Sequence, residues 1–262
     1  MLTPSKKKKL LGSLKAFQKK YFNKSLGDLD ESGTRLMVND LLTTVFGYKA
    51  IEEIKTEYMI RGTYADYMVQ IKGNRHFLVE VKALTLALSE KHLRQVISYG
   101  ANEGVDYAVL TNGREIHLHR ILFGKPIDSK LIFKVDISSK ESLKQAVEKL
   151  QFLHRDAVIK KGLDKLWNRF IALEIYTIAG ILFDNSIVNI IRRALKRKFK
   201  NKFEKEEIKD SLSRVICLEM DIDKVRPMSG PRKHRKHRDT AKAKVSGNSA
   251  GLELPSIPTS LN

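Results

Sequence analysis

Two carboxylates and an ammonium group stand on neighbouring segments of this chain, at Asp66, Glu80 and Lys82. The apolar runs 64–71 and 76–82 flank Lys72-Gly73-Asn74-Arg75, a Gly/Asn turn that marks a β-hairpin. Side chains alternate along a strand, so Val79 and Val81 point to the core while Glu80 and Lys82 share the other face. A carboxylate and an ammonium on a largely apolar strand are costly unless they are used. Asp66, early in the first run, supplies a second carboxylate.

This set suits phosphodiester hydrolysis. That reaction needs a hydroxide, an offset for charge building on the phosphate, and a stabilised leaving oxygen. A hard divalent cation held by one or two carboxylates and a backbone oxygen supplies much of this. Asp66 and Glu80 are the expected magnesium ligands, with manganese as the substitute ion and the Val81 carbonyl as a third ligand. Lys82 is the expected catalytic lysine, orienting the attacking water. The competing reading of Glu80 and Lys82 is a surface ion pair of little energetic consequence.

The elements that must position these groups follow from periodicity. A helix is expected over 31–46, capped by Asp30 or Asp28, burying Leu36, Val38, Leu41, Leu42 and Val45 and stopped by Gly47. A short strand over 56–60 and a turn at Arg61-Gly62 lead into the hairpin. A helix over 88–102 ends near Gly104, followed by a strand over 107–110 and an Asn-Gly turn at 111–114. Residues 116–119 alternate as a half-exposed strand, and 131–137 form the last one. The order α-β-β-β-α-β-β-β predicts an α/β fold, a mixed sheet flanked by helices.

Beyond 139 the texture becomes helical, with helices expected over 141–154, 164–183, 186–200 and 204–216, forming either a second domain or a helical cover on the sheet. The expected organisation is a basic N-terminal helical arm (1–27), a nuclease-like domain (28–138), a helical region (139–222) and a disordered basic tail (223–262).

With 49 Lys+Arg against 30 Asp+Glu in 262 residues, the formal charge is +19, which favours a polyanionic partner, DNA first. Lys6, Lys7, Lys8 and Lys9 are either a phosphate-touching arm or part of a helix that caps the next domain. Arg192, Arg193, Lys196 and Arg197 either lie along phosphates or form a solvated helix face. A single cysteine, Cys217, excludes an intrachain disulfide and fits a reducing, cytoplasmic setting. No apolar run is long enough for a bilayer, and no secretory signal is recognisable.

Several segments together carry a family likeness: Leu41-Leu42-Thr43-Thr44-Val45-Phe46-Gly47-Tyr48, Gly62-Thr63-Tyr64-Ala65-Asp66-Tyr67, Val79-Glu80-Val81-Lys82, Gln95-Val96-Ile97-Ser98-Tyr99 and Val109-Leu110-Thr111-Asn112-Gly113. In that order they resemble the N-terminal nuclease domain of type I restriction enzyme R subunits, a branch of the PD-(D/E)xK nucleases, across about 31–121. The resemblance implies that Asp66, Glu80 and Lys82 are the catalytic motif and magnesium the cofactor. Gln95 and Tyr99 fit the Gln-x-x-x-Tyr motif of this branch, on one face of a helix. Glu31 fits the acidic residue that related nucleases carry on the first helix, where it helps hold metal. Its other reading is a helix N-terminal charge favoured by the macrodipole. The sequence departs from the pattern at Ala65, where a proline often precedes the Asp, and it contains no Gly-x-x-x-x-Gly-Lys-Ser/Thr loop, so no ATP motor is expected. The expectation is a stand-alone DNA nuclease in restriction or defence, with a homodimer as one route to cutting both strands. The alternative is a non-catalytic nucleic-acid-binding protein on the same fold.

Overall fold

The computed structural model describes residues 1–22, 29–60, 63–139 and 141–216. Asp28, the Arg61-Gly62 turn and the basic tail lie outside the described residues. Six strands form one sheet in the order β1 (Ile54–Ile60), β2 (Thr63–Ile71), β3 (Asn74–Val81), β4 (Tyr107–Thr111), β5 (Glu115–Leu122) and β6 (Asp128–Asp136). Every neighbouring pair is antiparallel except β3 and β4, which run parallel. A parallel pair cannot be closed by a tight turn. The chain between β3 and β4 crosses over through a helix.

The helices are α1 (Pro4–Tyr21), α2 (Glu31–Asp40), α3 (Ala50–Glu53), α4 (Glu90–Glu103), α5 (Leu143–Leu150), α6 (Arg155–Val158), α7 (Gly162–Ala172), α8 (Ile175–Leu182), α9 (Asn185–Phe199) and α10 (Lys205–Ile216). The β3–β4 crossover is α4. Its end is set by Gly104 in the left-handed region, φ 64°. The larger core lies on the sheet face covered by α1, α2 and α5, and includes Leu14, Phe17, Met37, Val79, Val81 and Leu150. The smaller core lies under α4 and joins Met68, Leu78, Val96, Tyr99 and Ala108.

Several expectations are corrected. The hairpin turn is two residues, not four: Lys72 (φ 50°) and Gly73 (φ 79°) are both left-handed, the twist that matches the flanking strands, so Asn74 and Arg75 belong to β3. Leu36 is 76% exposed, because the buried stripe of α2 runs through Thr34, Met37 and Val38 instead. The helix does not continue unchanged to 46; residues Leu41–Val45 form a π-helical turn. The helix expected over 164–183 is two, α7 and α8, broken at Leu173-Glu174, where extended backbone at Glu174 starts a new helix and its carboxylate pairs with Lys130. The strand over 116–119 is not half-exposed at His119, which is 6% exposed. Of the helices after residue 142, α5, α6 and the start of α7 cover the sheet, the second of the two arrangements expected for this region: Leu143, Val147, Leu150 and Leu163 enter the same core as α1 and α2.

Candidate active site

The hairpin of β2 and β3 carries the site. Tyr67 pairs with Val79, and one further step along that register sets Asp66 across from Glu80. Asp66 Oδ2 accepts a hydrogen bond from the Val81 amide at 2.7 Å, fixing this carboxylate against the end of β3. Glu80 is 2% exposed. Its Oε1 accepts from Lys82 Nζ at 2.7 Å, and its Oε2 is buried without a hydrogen-bond partner. A surface ion pair is therefore excluded for Glu80.

The first turn of α2 closes the site from the other side. Asp30 caps that helix, its side chain accepting from the Gly33 amide at 2.7 Å. Tyr67 OH donates to the Arg35 carbonyl at 2.6 Å and so ties α2 to β2. This places Glu31 Oε2 at 3.7 Å from Lys82 Nζ. It also places Arg35, which the sequence reading passed over. Arg35 Nε lies 3.4 Å from Asp66 Oδ1, and the guanidinium approaches Glu31 at 3.9 Å and Glu57 at 3.7 Å. Glu57 sits across from Asp66 on β1, at left-handed φ 47°. The four-residue spacing of Glu31 and Arg35 was the available signal, but it reads only as a helix ion pair until the docking of α2 is known.

Four carboxylates thus surround two cations. Burial pushes the Glu80 carboxyl up to about 7; Lys82 opposes this, while Asp66 and Glu31 add to it. Burial also raises Asp66, against the Val81 amide, Arg35 and Lys82. Burial pulls Lys82 down, but its bond to Glu80 and the neighbouring carboxylates outweigh this and raise it, so the amine stays charged.

Among the described residues no three His, Cys, Asp or Glu side chains form a ready metal cage. A small hard cation does not require one, since it keeps several waters and takes one or two carboxylates. The unpartnered Glu80 Oε2, beside Asp66 in a surplus of negative charge, fits such an ion.

The remaining candidates are placed as follows. The Val81 amide serves Asp66. Gln95 and Tyr99 bond to each other, Nε2 to OH at 2.8 Å, with Tyr99 packed in the smaller core beside Leu78 and Gln95 exposed. Lys6 pairs with Asp156, and Lys7 with Glu148 at 2.6 Å, while Lys8 and Lys9 are exposed. On α9, Arg193, Lys196 and Arg197 are exposed and Arg192 is half-buried. Among the described residues no helix is long and apolar enough to cross a membrane.

The sheet with its helices and this charged cluster define an α/β protein with a carboxylate–lysine site on a hairpin. Residues 30–125 match the family model of the Type I restriction enzyme R protein N terminus (HSDR_N). That span covers α2 through β5 and holds Glu31, Arg35, Asp66, Glu80, Lys82, Gln95 and Tyr99. A chain of the cryoEM structure DrdV-DNA complex is similar at TM-score 0.38 and 13% identity, over 56% of this chain and 96% of that one. No curated protein matches the chain.

Proposed function

We propose that this chain is a magnesium-dependent nuclease of the PD-(D/E)xK type that hydrolyses DNA phosphodiester bonds in restriction, with manganese able to substitute. The observation that carries the reading is Glu80: a buried carboxylate with one oxygen on Lys82 and the other without a partner, at the end of a strand that Asp66 also grips. The restriction-enzyme family match over the same residues supports it. The +19 charge supports a nucleic-acid partner through sequence-independent phosphate attraction.

When bound, the divalent ion would polarise the phosphate and lower the pKa of a coordinated water. Asp66 and Glu80 would hold it, with Glu31 and the Val81 carbonyl as the remaining donors. Lys82, kept charged by Glu80, is suited to donate a hydrogen bond from Nζ to the attacking water or to a phosphate oxygen, rather than to accept a proton. Arg35 pairs with Asp66 and brings a second positive charge beside the place where phosphate charge accumulates. The Gln95–Tyr99 pair, on the helix covering the Glu80 face, is a positioning unit next to the substrate path. No ATP is required by this scheme.

Plasmid cleavage with magnesium and without ATP tests the reading. Lys82→Ala is expected to cut about 10²–10³-fold more slowly than the native protein, the usual cost of one electrostatic donor. Equal cutting by a folded Lys82→Ala protein would reject the catalytic assignment, and DNA binding without cutting by the native protein would leave a non-catalytic DNA binder.

A further inference from the structure

A second cavity opens on the Glu80 face of the sheet, outside the carboxylate cluster. Its volume is about 640 Å³, and Leu93, Ile97, Leu110, Leu131, His117 and His119 line it. The helix α4 covers β3 and β4, and the cavity lies where that cover ends over β5 and β6. His119 is 6% exposed, and neither of its ring nitrogens has a hydrogen-bond partner. Buried polar atoms in folded proteins are almost always satisfied, so an imidazole in the cavity wall whose two nitrogens are covered and idle is a group that a ligand satisfies once the ring turns slightly toward it.

The chemistry of the walls narrows that ligand. Burial, then His117, pushes His119 down to about 4, so at neutral pH it is uncharged and offers one donor and one acceptor. His117 also lines the cavity, but its Nε2 is engaged, 3.0 Å from Glu115. The rest of the lining mixes Leu and Ile side chains with three serines, and its charged members are Glu90, Asp128 and Arg94. An anion is disfavoured inside; a flat, uncharged heterocycle with a donor–acceptor edge fits.

Sheet register places this cavity relative to the candidate active site. Glu80 pairs with Leu110, and Leu110 with His117, so the three side chains form one row on one face. Strands are spaced about 4.8 Å apart, which sets Glu80 about 10 Å from His117 and about 12 Å from His119, two residues farther along β5. A nucleic-acid strand rising about 3.4 Å per nucleotide covers that distance in about three nucleotides.

We propose that the cavity takes one unstacked nucleobase of the substrate strand, its edge hydrogen-bonded to His119, within about three nucleotides of the scissile phosphate. The proposal rests on the nuclease reading for its substrate. A base held there cannot remain in a duplex stack, so the substrate is single-stranded at that point or has the base turned out.

The test uses the full chain and a set of single-stranded oligonucleotides, each with 2-aminopurine at one position, in EDTA so that nothing is cut. Stacking quenches this probe and unstacking brightens it. Emission should rise several-fold at one or two positions and stay flat at the others. His119→Gln, and separately Leu131→Trp, should remove the rise and weaken binding about ten-fold, the scale of one base contact. Leu131 is 45% exposed, so its substitution fills the cavity mouth without the folding risk of the buried histidine. A position-independent signal in the native protein, or a rise that survives in both variants, would overturn the proposal. Because the readout needs neither metal nor cleavage, a protein that shows the rise but cuts nothing would overturn the nuclease reading alone. One that cuts without the rise would overturn only the base pocket.

Discussion

Two buried glutamates on opposite flanks of the sheet show how differently one fold can treat the same side chain. Glu53 is 4% exposed and fully engaged: Arg155 donates from Nε at 2.7 and 2.9 Å and from Nη2 at 2.7 Å, and the Lys49 amide adds a bond at 3.1 Å. Those Arg155 bonds hold its carboxyl below the usual range against the cost of burial. Glu80 is 2% exposed and half engaged, and its carboxyl is pushed up to about 7. Glu53 fastens α3 to α6, so its partners are complete within the chain. Glu80 is left short of positive charge at the point where a reaction is proposed. Incomplete satisfaction of a buried acid in an otherwise well-packed sheet separates a site from a brace.

The contrast can be broken from either end. The largest effect is expected at the brace. Arg155→Ala leaves Glu53 buried with only a backbone donor, and should cost about 3–5 kcal/mol in a denaturant melt. Replacing both partners with Leu and Met should recover most of that loss. If the single change costs under 1 kcal/mol, the clamp is ornamental and the contrast fails.

Next in size is Glu80→Gln. A carboxyl whose folded pKa lies above its unfolded value penalises folding as pH climbs past about 4.5 and does so fully above about 7. In chelator, the native protein should therefore lose stability between pH 5 and pH 8. The glutamine variant should not, and should be up to about 3 kcal/mol more stable at pH 8 while failing to cut. The clamp carries the opposite sign. With Glu53 depressed, its contribution is present above about 4.5 and disappears as pH falls through the lower folded value. Scanning melting temperature against pH for each variant separates the two; parallel curves would contradict the reading.

The smallest effect is expected for Arg35→Gln. Removing a guanidinium beside Asp66 should cost about 1 kcal/mol of metal-free stability and tighten manganese binding about five-fold, measured by titration calorimetry. Weaker manganese binding would mean that Arg35 shapes the carboxylates rather than competing for them.

Much of this architecture was written in local pattern. The strands of the hairpin, the Asn112-Gly113 turn and the Gly104 stop follow from alternation and left-handed residues, which depend on near neighbours only. The nearness of Asp66, Glu80 and Lys82 was likewise legible, because hairpin register converts spacing into contact. Arg35 was not, since its role depends on a tyrosine one strand away pinning α2 in place. Leu36 misled because an apolar residue one step off the helical stripe looks the same in sequence as one on it. His119 misled because alternation predicts which way a side chain points, not how closely its neighbours will pack around it.

The docking of α1 has a consequence for how the protein is made. Its Leu10, Leu14 and Phe17 are covered in part by α5, and the Leu2 amide donates to Gln151, 149 residues onward. On the ribosome that greasy face emerges well before α5, which covers it, has been made. At 5–20 residues per second the delay is roughly 7–30 s. Over that interval the lysines interleaved along α1, still without Asp156 and Glu148, offset its apolar face with unpaired positive charge.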